Sequence, residues 1–135
     1  EIAKLGMNGK LLFTIRNLWM QKNHHGLLGL MDTRVRLNFN ISEKGSPETY
    51  AAEQASGILK EHFLEIIILK FHYMCKRVQK DTGVAYYQYK IQKNGIIKNK
   101  ILYIYLKQKT EEKTEEKIWV INGINQIDCQ PMDNQ

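Results

Sequence analysis

Cysteine is scarce in this 135-residue chain, which carries only Cys75 and Cys129. Two cysteines so far apart make no disulfide framework. There is no CxxC, so zinc and dithiol redox motifs lack support. Long apolar runs are also missing. The longest, residues 63–69, is interrupted by Glu65 and falls far short of a membrane span. No GxSxG, phosphate-loop or HExxH pattern occurs. Neither a domain-scale repeat nor a linker is visible. A hydrophobic fraction of 43% with 25% charged residues is a globular composition. A chain of this length buries roughly two-thirds of its unfolded surface and needs no staple. The expectation is one domain over 1–135, with a core at about 8–128 and a frayed polar tail at 130–135. The first residue is Glu1, not Met. A secreted or periplasmic location follows if a signal peptide was removed before it; otherwise the compartment is open.

The periodicity gives an order of elements. Leu11, Leu12, Ile15, Leu18 and Trp19 recur at helical spacing and predict a helix ending near Lys22. Asn23, His24, His25 and Gly26 break it, and Leu27 to Met31 suggest a short second helix ended by Asp32. Val35, Leu37, Phe39 and Ile41 alternate with polar residues, as in a half-buried strand over 34–41. Ser46, Pro47 and Glu48 look like a helix start. Ala51, Ala55, Ile58, Leu59 and Phe63 carry that third helix, in which Gly57 either weakens the helix or lets another backbone approach. Strands follow at 66–79, 84–93, 96–110 and 118–128, with Asn94-Gly95 as a hairpin turn and residues 111–117 as a charged tip. The order α-α-β-α-β-β-β-β is α+β: N-terminal helices on a curved antiparallel sheet.

Several stretches together resemble a known group. They are Ile15-Arg16-Asn17, Lys22 to Leu28, Val35 to Phe39, Thr49 to Ala55, Ile58 to Phe63, Phe71-His72, Tyr103 to Lys107 and Trp119-Val120-Ile121. The chain resembles the nuclear transport factor two-like superfamily, also called cystatin-like or ketosteroid-isomerase-like. More narrowly it is similar to a small uncharacterised bacterial family within it. It departs in the tip at 111–117 and in Cys75-Lys76-Arg77. The resemblance implies a cone with a pocket at its wide end. It also implies that the first strand pairs with the last, that Cys75 and Cys129 lie apart, and that a homodimer forms through the outer sheet face. Fold alone does not give function.

Acid–base chemistry needs a base within reach of the substrate. Residues 34–41, 66–79, 83–93, 97–110 and 118–127 contain no Asp and no Glu, so a strand-borne carboxylate base is absent from this reading. Asp32, Glu53 and Glu61 remain, as a helix end and two solvated helix positions. No catalytic residue is assigned. His72, between Phe71 and Tyr73, reads as a hydrogen-bonded strand histidine or a polar contact in a pocket. His24-His25 reads as loop punctuation, because no third metal ligand is spaced with it. Lys76 and Arg77 beside Cys75 would favour a thiolate, but the preferred reading is a buried or half-buried inert thiol. The pocket candidates are Trp19, Phe39, Tyr50, His72 and Tyr103. No cofactor and no metal are expected.

The charge is uneven. Residues 70–109 hold ten Lys or Arg against one acid, Asp81. Interleaved with tyrosines, such charge can bind a single strand of nucleic acid. Lysine outweighs arginine, however, and no nucleic-acid motif accompanies it, so a solvated protective face is preferred. The expected function is a non-enzymatic binding or interaction module. It would hold a small apolar ligand in the cone or self-associate through the sheet. The alternatives are an isomerase- or dehydratase-like enzyme using His72 with a tyrosine, and nucleic-acid binding by the basic strands.

Overall fold

The computed structural model describes residues 9–38 and 48–129. Phe39, Ile41, Ser46, Pro47 and the 130–135 tail lie outside these residues. Helix α1 (Gly9–Met20) buries Leu11, Leu12, Ile15 and Trp19, the stripe expected from the sequence. Helix α2 (His24–Leu28) follows after Asn23, whose Oδ1 accepts from the Gly26 N–H at 2.8 Å. The residues read as a break thus start a helix. His24 Nδ1 lies 3.2 Å from Ser56 Oγ, and His25 is exposed.

Strand β1 (Met31–Asn38) begins earlier than the alternation suggested, so Asp32 stands on a strand and does not end a helix. Strand β2 (Glu48–Ala51) occupies residues expected to open the third helix. Thr49 and Tyr50 favour extended backbone, and β2 pairs antiparallel with β1. Helix α3 (Ala52–Leu64) therefore starts late, and Gln54 Oε1 accepts from the Ala51 N–H at 3.2 Å. Four long strands follow: β3 (Ile67–Gln79), β4 (Thr82–Lys93), β5 (Ile96–Thr110) and β6 (Lys117–Asp128). The β4–β5 turn uses Asn94 at φ 52° and Gly95 at φ 77°, the left-handed backbone that an Asn-Gly hairpin supplies.

The sheet order is β2-β1-β6-β5-β4-β3. The first long strand pairs with the last one, as the resemblance implied, and does so in parallel. The sheet is accordingly mixed, not wholly antiparallel. The chain still forms an α+β fold, with helices packed on the sheet. Val35, Leu37, Ala85, Tyr87, Tyr89, Ile91, Leu102, Ile104, Leu106, Ile121 and Ile124 face the helices and form the core with Trp19, Leu59 and Phe63. Among the described residues no helix is long and apolar enough to cross a membrane.

Candidate functional site

The inner face of the sheet is filled with rings. Trp19 stacks on Phe71 at 5.3 Å, and Phe71 stacks on Tyr87 at 4.5 Å. Phe63 and Tyr89 meet the Trp19 ring edge-on at 5.1 and 5.7 Å. The Tyr87 hydroxyl donates to the Leu12 carbonyl at 3.0 Å. Beside this stack, the Tyr89 hydroxyl lies 2.8 Å from His62 Nε2. Burial first, then the charge of Lys93, brings His62 down to about 4, against a weaker upward pull from Glu65. The imidazole is neutral at pH 7, with Nε2 in hydrogen-bond contact with the Tyr89 hydroxyl.

Carboxylates do reach the strands, contrary to the sequence expectation. Asp32 is only 8% exposed on β1. Burial pushes its carboxyl up. The Thr33 N–H and the ammonium groups of Lys109 and Lys107 outweigh that and hold it below the usual range. Lys109 lies 3.1 Å and Lys107 3.2 Å from its two oxygens. Lys100 pairs with Asp128, and Lys93 with Glu65 at 3.1 Å. Four of the ten basic residues between 70 and 109 are therefore bound to carboxylates. Others divide between faces: Arg77 stands opposite Val84 on the outer face, whereas Lys98 stands opposite inward-facing Ile91.

The outer face of the sheet is built differently. Strand partners point the same way. Arg36, Gly123, Tyr105, Val84 and Arg77 stand opposite one another on β1, β6, β5, β4 and β3. Asn38, Asn125, Tyr103, Tyr86 and Cys75 form the adjacent row. Tyr103 meets Tyr86 at 4.9 Å and Tyr105 at 6.3 Å. Asn122 is the extra residue of a bulge in β6, because Tyr105 pairs with Gly123 and Leu106 with Ile121. Two clefts meet at Tyr105 and Asn122. One, of about 380 Å³, is lined by Arg36, Asn38, Asn125 and the Gly123 floor. The other, of about 410 Å³, extends to Arg77, Val84 and Tyr86. Among the described residues no carboxylate lines either.

The five pocket candidates are not brought together. Trp19 is fully buried in the core. Tyr50, opposite Val35, is half-buried on the inner side. Tyr103 is on the outer face, and His72, opposite Gln88, is exposed there on β3. Phe39 is outside the described residues. Both thiols are free, and Cys75, expected to be buried or half-buried, is exposed on the outer row of β3, as Cys129 is beyond β6. Among the described residues no three metal-ligating side chains cluster. His62 was missed because its partners come from α1 and β4, far off in sequence. The outer row was missed because register is not written in any one strand.

No family model matches the sequence, and no curated protein matches it. Solved structures do. A DUF4783 family protein from Bacteroides ovatus aligns with 15% identity, covering 86% of this chain and 93% of that one, at a TM-score of 0.67. A second DUF4783 protein, from Bacteroides uniformis, aligns with 11% identity over 86% and 94%, at 0.68. A hypothetical protein from Catenulispora acidiphila, with a ketosteroid isomerase-like fold and in complex with trimethylamine, aligns with 14% identity over 90% and 86%, at 0.62. The fold is nuclear transport factor two-like. At these identities the likeness extends to architecture, including that of a small bacterial family, and no further.

Proposed function

We propose that the protein is a non-enzymatic binding module whose ligand sits on the outer face of the sheet. The observation that carries this reading is the contrast between the faces. The ring stack of Trp19, Phe71 and Tyr87 fills the inner side, while the clefts around Tyr105 are open to solvent. The Catenulispora neighbour, solved in complex with trimethylamine, supports small-molecule binding on this architecture. His72, exposed on the outermost strand, has none of the enclosure that an isomerase or dehydratase base requires. The test is a fragment screen read by amide chemical shifts. Ligands should move the resonances of Arg36, Tyr105, Gly123 and Asn125. Hits that move only the Trp19 indole and Tyr87 would sink the outer-face reading and restore a small apolar ligand inside the cone.

A second reading is self-association through the same surface. It is favoured by the tyrosine cluster there, with Tyr105 39% exposed. Sedimentation would show a dimer at micromolar concentration that Tyr105→Glu dissociates; a monomer throughout would end this reading.

A further inference from the structure

Resting on the outer-face reading, we infer that the cleft over Gly123 takes a small organic anion bearing a flat ring. Three features carry this. The first is charge. Arg36 is exposed, and among the described residues it forms no ion pair and no acid lines the cleft. A guanidinium offers forked donors to a carboxylate or phosphate. The second is the polarity of the amides. Asn122 Oδ1 and Asn125 Oδ1 are shut away from solvent, without a hydrogen-bond partner among the described residues. Neither of these two amides therefore offers the cleft an acceptor oxygen, and the Arg36 guanidinium beside them favours a ligand that accepts. The third is shape. Gly123 has no side chain, and a Cβ there would come within 3.2 Å of Tyr105 Cδ2. The tyrosine thus leans over a floor of bare backbone, giving a ring a flat apolar wall beside the guanidinium.

The size and span agree with a small ligand. A cleft of about 380 Å³ lies at the low end for small-molecule sites. Arg77 closes the far end of the same row. Four strand steps separate it from Arg36, roughly 19 Å at about 4.8 Å each, too far for one small anion to reach both. A polyanion would need more free charge than is found here, since Lys107 and Lys109 are already held by Asp32.

The test uses the full chain and five probes: benzoate, phenyl phosphate, benzyl alcohol, inorganic phosphate and a thymidine decamer. Benzoate and phenyl phosphate should shift the amides of Arg36, Tyr105 and Gly123. Benzyl alcohol, without charge, and inorganic phosphate, without a ring, should each bind at least about tenfold more weakly. Arg36→Gln should weaken benzoate by about tenfold, whereas Arg34→Gln, on the same strand but outside the cleft, should leave it unchanged. Both replace exposed side chains, and unchanged melting temperatures will confirm folding. Equal binding of benzyl alcohol at the same amides overturns the anion but leaves the outer-face reading standing. Benzoate binding indifferent to Arg36→Gln also overturns it, as does the absence of any shift at millimolar probe. Shifts confined to the inner face overturn the outer-face reading itself. Decamer binding over a hundredfold tighter than phenyl phosphate, with steep salt dependence, replaces the small anion with nucleic acid.

Discussion

The Tyr89 hydroxyl lies 2.8 Å from His62 Nε2, under the sheet and against the Trp19 ring. This pair ties stability to pH. His62 is brought down to about 4 from an ordinary 6.5. Between those values the unfolded chain takes up a proton that the folded chain refuses. Stability therefore falls as pH drops from about 6.5 to about 4, by about 3 kcal/mol. Urea midpoints at pH 7.5 and pH 4 measure it. His62→Gln should flatten most of that difference; an equal slope in the variant would show that other groups cause it.

Tyr89→Phe removes the hydroxyl that meets His62 Nε2. The buried imidazole then loses that partner, at a cost of about 1–3 kcal/mol. A hydroxyl that donates to the ring nitrogen stabilises the neutral imidazole, so His62 should titrate higher in the variant. A proton NMR titration of the His62 ring reads this directly. A midpoint that stays near 4 would mean burial alone sets it.

Asp32 carries a different pH window. Its carboxyl is held below the usual range, so it contributes stability above the ordinary carboxyl value, near pH 4. That contribution is lost as pH falls further, through the lowered value. Asp32→Asn should cost about 1–2 kcal/mol at pH 7. Lys107 and Lys109 are 43% and 37% exposed at the side chain, so salt should shrink the effect. A cost unchanged at 1 M salt would locate it in the Thr33 hydrogen bond.

Much of the fold was legible because it rests on local periodicity. The α1 stripe through Trp19 and the Asn94-Gly95 turn both declare themselves within a few residues. The β2 strand did not, because Ser46-Pro47-Glu48 carries helix-start chemistry while Thr49 and Tyr50 answer to the edge of β1. Asp32 was assigned to a helix end because the strand alternation becomes regular only at Val35. The candidate site was hidden more deeply. Arg36, Gly123, Tyr105 and Arg77 share a row only after four strand pairings are fixed, and the bulge at Asn122 shifts one of them. The same holds for His62, whose helix looks amphipathic whether or not Tyr89 lies beneath it.

Two glycines should respond to alanine with opposite signs. A Cβ at Gly57 would meet nothing within 4 Å, and this residue lies exposed in α3. Helix propensity is then the whole effect, and Gly57→Ala should stabilise by about 0.5–1 kcal/mol. A Cβ at Gly123 would meet Tyr105 Cδ2 at 3.2 Å and Tyr105 Cβ at 3.3 Å. The second of these is fixed to the backbone of the neighbouring strand and cannot swing away. Gly123→Ala should therefore push the strands apart or tip the ring, costing about 1 kcal/mol or more. Thermal melts of both variants decide the matter. If Gly123→Ala stabilises like Gly57→Ala, the tyrosine does not lean on the floor of the cleft, and the wall built from Tyr105 is lost with it.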